Sequence, residues 1–95
     1  ALMAVMQHHA FLILVENSGN TSLSSQGSGE VRISVATLGT LRAAERLVSE
    51  LVAQGVSQIE LSASFGPAGE EALRTVVADS GAERTVSIGR VRFTA

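Results

Sequence analysis

Glutamate, arginine and serine carry the chemistry open to this chain. Its 95 residues include no cysteine, lysine, tyrosine or tryptophan, so it has no thiol nucleophile, disulfide, thiolate metal site, Schiff-base amine or phosphate-loop lysine. Proton transfer falls to glutamate, the lone Asp79, His8 and His9, and anion recognition to seven arginines, hydroxyls and backbone amides. One grouping stands out. Glu60, Ser62 and Ser64 alternate along one face of a strand pattern that runs into Phe65-Gly66-Pro67-Ala68-Gly69, and Glu16 closes an earlier apolar run at the same edge. Arg90 and Arg92 lie on the last strand pattern. A glutamate beside arginines and small hydroxyls can hold an acidic or carbonyl metabolite and take a proton from it. Glu60 and Glu16 are thus the candidate bases, and Arg32, Ser62, Ser64, Phe65, Gly66, Arg90 and Arg92 the candidate ligand-binding residues.

Each of these has a plainer reading. Arg32 and Glu60 fall on one predicted face of neighbouring strands and can form a structural pair at a subunit interface. Glu16, Arg90 and Arg92 can be solvated charges at strand ends. Phe65 can plug the core while Gly66-Pro67 starts a helix. Glu70-Glu71 suits the positive end of a helix dipole better than acid/base work. His8 and His9 are adjacent in an extended segment and point apart, which argues against a shared metal. No metal or cofactor is expected.

The elements that must position these residues follow from periodicity. Ala10 to Val15 is a continuous apolar run, a first strand buried on both faces. Asn17 to Gly29, "NSGNTSLSSQGSG", is small and polar and reads as a mobile loop able to close over a site. Val31, Ile33 and Val35 alternate with Arg32, Ser34 and Ala36, a second strand. After Gly39, with Thr40 as N-cap, Leu41, Ala44, Leu47, Val48, Leu51 and Val52 form a helical stripe that Gly55 ends. Ser57 to Ser64 alternates again as strand three, Pro67 opens a second helix with Leu73, Val76 and Val77 as its stripe, and Gly81 closes it. Val86, Ile88, Val91 and Phe93 make the last strand, with a bulge expected at Gly89-Arg90.

The order β-β-α-β-α-β predicts a single α/β domain over residues 10–95, after an N-terminal stretch 1–9 that is disordered or foreign to it. Helical crossovers require parallel strands, and right-handed crossovers in one direction put both helices on one face of a mostly parallel, four-stranded, half-barrel-like sheet. The other face is bare, with Arg32, Ser34, Ala36, Glu60, Ser62 and Ser64 on it, so a homodimer or higher homo-oligomer is expected to cover it. A net charge of −2 and the absence of a basic excess argue against nucleic acid as a partner. No apolar run approaches the ~20 residues of a membrane span, and the chain reads as cytoplasmic.

The segments "AFLILVE", "AERLVSELVAQGVSQIELSASFGPAGEEAL" and "GRVRF" resemble a family of small, mostly bacterial proteins of unknown function that carry a similar Glu-Leu, small-residue, Phe-Gly-Pro stretch. The likeness covers most of residues 10 to 93 and implies no activity. In that family the positions of Ser62, Ala63 and Ser64 are often cysteine and glycines, so this chain departs where a site would lie. The first helix with "GVSQIEL" also resembles one βα unit of phosphate-binding and aldolase-type barrels, whose lysine has no counterpart here. Two functions stay open: a non-catalytic module binding a small acidic or carbonyl metabolite at the carboxyl end of the sheet, or a cofactor-free isomerase, lyase or cyclase using glutamate.

Overall fold

The computed structural model describes residues 7–92. It is an α/β fold of five strands and two α-helices, in the order β1 (Gln7–Leu14), β2 (Ser22–Ser28), β3 (Val31–Leu38), α1 (Leu41–Ala53), β4 (Gln58–Leu61), a single 3-10 turn (Ala63–Phe65), α2 (Gly66–Asp79) and β5 (Ser87–Arg90). The sheet is mixed, with strand order β2-β3-β1-β4-β5; β2 is antiparallel to β3 and every other pair is parallel. Among the described residues no helix is long and apolar enough to cross a membrane.

The local signals for both helices hold. Thr40 accepts a hydrogen bond from the Ala43 amide at 3.1 Å, Pro67 sits in the first turn of α2, and Gly55 and Gly81 take the positive φ angles of 87° and 73° that end a helix in the left-handed region. Ala44, Leu47, Val48 and Leu51 of α1 and Leu73 and Val77 of α2 enter one core with Ala10, Leu12 and Leu14 of β1, Ala36 and Leu38 of β3, and Ile59 and Leu61 of β4. Both helices therefore cover the same face of the sheet, and each fully buried Leu or Ile there contributes about 1.5–3 kcal/mol.

Four features depart from the expected frame. The sheet has five strands, not four, because Ser22–Ser28 pairs along its whole length with β3. A serine-rich segment has no apolar pattern to announce it, but an edge strand needs only backbone bonds. Gly29 at φ 61° gives the two-residue turn with Glu30 its glycine at the first central position, as a type II′ hairpin requires. Second, β1 starts at Gln7 and lies in the middle of the sheet between β3 and β4. That breaks the sequential order of a barrel segment and separates Arg32 from Glu60.

Third, β3 faces the opposite way from the expectation. Directly paired residues share a face, and Leu12 pairs with Ala36 and Leu14 with Leu38, so Ser34, Ala36 and Leu38 turn toward the helices. Val31, Ile33 and Val35 turn to the open face. Arg32 consequently lies on the helix side and Glu60 on the open side, and the two form no pair. The physical reason is register: Leu38 is fully buried opposite Leu14 and Ala36 opposite Leu12, and the period of two then sets every earlier residue of β3. Fourth, β5 ends at Arg90 where a bulge was expected. Phe93 and residues 1–6 lie outside the described residues.

Candidate functional site at the carboxyl edge

The chain leaves β1 toward the β2 edge of the sheet and β4 toward the β5 edge, so the strand order reverses between these two strands, and their carboxyl ends form the switch point where open α/β sheets receive ligands. The turn Ala63–Phe65 and the start of α2 rise between them and divide this edge into two clefts.

The dividing element is held by serines. Ser62 Oγ accepts from the Leu14 amide at 3.1 Å, Ser64 Oγ donates to the Leu14 carbonyl at 2.6 Å, and the two hydroxyls bond each other at 2.6 Å. Since the Ser64 proton is committed to Leu14, Ser62 donates to Ser64. β4 stops at Leu61, and these hydroxyls take over as partners for the last backbone groups of β1. Phe65 is buried, and a Cβ on the adjacent Gly69 would lie 3.1 Å from the Phe65 Cβ, so glycine there lets the helix close onto the ring. Gly66 takes φ 66°, a left-handed conformation that suits glycine at the junction of the two helical turns.

The cleft on the β1 side has a volume of about 420 Å³ and is lined by Glu16, Asn17, Gly39, Thr40 and Phe65 among others. The loop after β1 folds back here: the Asn17 amide donates to the Gly39 carbonyl at 3.3 Å, and a Cβ on Gly39 would lie 3.2 Å from the Gly19 carbonyl oxygen. Glu16 and Phe65 are thus brought into one cleft.

The cleft on the β5 side is larger, about 700 Å³, and is lined by Ala63, Pro67, Glu70, Glu71, Arg74, Arg90, Val91 and Arg92. Glu70 organises it. Its Oε2 accepts from Arg74 Nη2 at 2.9 Å and Nε at 3.3 Å, while its Oε1 accepts from Arg90 Nε at 3.2 Å. The Glu70 and Arg90 side chains are only 12% and 17% exposed. The hydrogen bond from Arg74, reinforced by Arg90, holds the Glu70 carboxyl below the usual carboxylate range. Glu70 is therefore an anion and a weak base. The other guanidinium N–H groups of Arg74 and Arg90 have no partner among the described residues, and Arg92 adds a third guanidinium. Two carboxylates, Glu70 and Glu71, against three guanidiniums leave a local surplus of one positive charge.

The predicted site residues are therefore spread over the sheet. Arg90 and Arg92 share the β5-side cleft, Glu16 and Phe65 the β1-side cleft, and Ser62, Ser64 and Gly66 build the wall between them. Glu60 lies on the open face, paired across the strands with Phe11 and Gly89, and Arg32 lies at the amino edge opposite His8. Glu70 and Arg74 were missed, although their i, i+4 spacing with glutamate first is a recognised helix ion-pair signal. Among the described residues no three His, Asp or Glu side chains converge as a metal site would require. Comparison with protein-family models and with curated proteins found no match to this chain.

Proposed function

We propose that this protein binds a small acidic metabolite, a carboxylate or phosphate ester, in the arginine-lined cleft at the carboxyl end of β5. The observation that carries the reading is the sharing of one Glu70 carboxylate between Arg74 and Arg90 beside Arg92. Guanidiniums recognise carboxylate and phosphate through paired N–H groups, and a partly buried Arg90 keeps its fork oriented before the ligand arrives. Glu70 sets that orientation, and the ligand supplies the anion that balances the remaining charge. The alternative, a cofactor-free enzyme acting on such a metabolite, draws on a different observation: Glu16 lines the cleft on the other side of the α2 start, within the same switch region.

The test is titration calorimetry with a panel of small dicarboxylates and inorganic phosphate at low salt. Arg90→Gln should weaken binding of the best of these by roughly 10- to 100-fold, the loss of about 1.5–3 kcal/mol expected for a charged hydrogen bond. Arg32→Gln, at the amino edge, should leave it unchanged. Unaltered affinity in an Arg90→Gln, Arg92→Gln double variant would place the ligand elsewhere.

A further inference from the structure

The open face of the sheet is built as an interface, and we infer that it is covered by a second copy of this chain. The inference does not depend on ligand binding at the carboxyl edge. On β3, Ile33 is 53% exposed and Val35 42%, while Ser34 between them is 2% exposed. A strand with one wet face puts its polar residues toward water and its aliphatic ones inward. This strand exposes three β-branched aliphatics and buries a serine, the pattern of a strand with cover on both sides.

The register extends the patch to the central strand. Gln7 pairs with Val31, His9 with Ile33, Phe11 with Val35 and Ile13 with Thr37, so Val31, Ile33, Val35, Phe11 and Ile13 form one apolar stripe over β3 and β1, with the polar Gln7 and His9 beside it at the amino end of β1. The stripe has a small polar rim on each side, serines and Gln26 of β2 on one and Gln58, Glu60, Ser87 and Gly89 on the other. The strands carry no arginine on this face, and the chain has no lysine, which disfavours an anionic lipid surface.

Size and charge favour a second copy. At roughly 4.8 Å per strand and 3.3 Å per residue the face spans about 500 Å² per copy, so a face-to-face pair buries on the order of 1,000 Å², where stable interfaces begin. Two sheets packed face to face at ~10 Å cover all five strands at once, whereas a single helix, about 10 Å across, covers only about two of them. A two-fold axis along the seam between β3 and β1 lays stripe on stripe and sets Glu60 over the other copy's β2 rim, where the hydroxyl of Ser24 and the amide of Gln26 can donate to it. A two-fold axis across the strands would instead oppose the two Glu60 carboxylates. The first arrangement is the one inferred.

Sedimentation equilibrium on the whole chain between about 1 and 100 μM tests this. A dimer is expected, and Ile33→Lys should weaken it at least ~100-fold, because two unpaired ammonium groups would enter the contact. Ile33→Thr keeps the β-branched shape and should weaken it about tenfold, which covers the case of a lysine variant that folds poorly. Leu23→Lys is the control: Leu23 is 51% exposed but pairs with Ala36, on the helix side, and its replacement should leave the dimer intact. A wild-type monomer at 100 μM, or a dimer lost in Leu23→Lys and kept in Ile33→Lys, overturns the inference.

Discussion

The two faces of the sheet are made from the same strands and obey opposite rules. Toward the helices, β3 presents Ser34, Ala36 and Leu38, and β1 presents His8, Ala10, Leu12 and Leu14, all buried. Toward the open side the same two strands present Val31, Ile33, Val35, Phe11 and Ile13 together with Gln7, His9 and Thr37, and the five apolar residues there are large and less buried. Hydrophobicity alone therefore does not assign a face to the core. The register between strands does, because Ala36 and Leu38 pair directly with the core residues Leu12 and Leu14, and the period of two sets the rest.

Substitutions that should behave oppositely on the two faces sharpen this contrast. The largest effect is expected at Phe65 and Leu12: truncation to alanine should cost roughly 3–5 kcal/mol at Phe65 and 2–5 kcal/mol at Leu12 in urea unfolding, since both fill the helix-side core. Ile33→Ala should cost far less in dilute protein, about 0.5 kcal/mol or below, because the side chain faces water there. A large loss at Ile33 in the dilute monomer would erase the distinction between the faces.

A smaller effect concerns the polar groups that the helix face does bury. His8 is 5% exposed, and its Nε2 lies 2.7 Å from Ser34 Oγ, which in turn lies 2.8 Å from Ser25 Oγ on the edge strand. Burial, then the charges of Arg32 and His9, lowers the His8 pKa. A lowered folded-state value means that the unfolded chain binds the proton more readily. The stability contributed by neutral His8 is therefore complete above the ordinary histidine value near 6.5 and is lost as pH falls through the lower folded-state value. The urea midpoint should drop between pH 8 and 5, and His8→Asn should flatten that drop. An unchanged slope in the variant would show that His8 does not carry it.

Much of this architecture is legible in the sequence where the signal is local. The apolar run of β1, the stripe of α1 and the caps at Thr40, Gly55, Pro67 and Gly81 are all set by neighbours within a turn or two. β2 is illegible because an edge strand of serines is defined by backbone pairing with β3 and not by its side chains. The facing of β3 is illegible from alternation alone, because a period of two marks two faces without naming them. The site fares similarly. Arg90 and Arg92 at the carboxyl edge follow from their place on the last strand, but the roles of Ser62 and Ser64 depend on β4 ending two residues short of β1, a long-range fact. A helix-dipole reading of Glu70 overlooks its more specific partners, Arg74, one turn on, and Arg90, across the fold.

The measurement that bears most directly on the contrast between faces is methyl NMR with a soluble paramagnetic probe, recorded on the wild-type chain at high and low concentration. Methyl groups of Ile59 and Leu12 should be shielded from the probe at every concentration. Those of Ile33 and Val35 should be shielded at about 100 μM and bleached on dilution below the dimer dissociation constant. Ile33 methyls that are bleached equally at both concentrations, in protein shown to be folded, would contradict the claim that the open face is an interface.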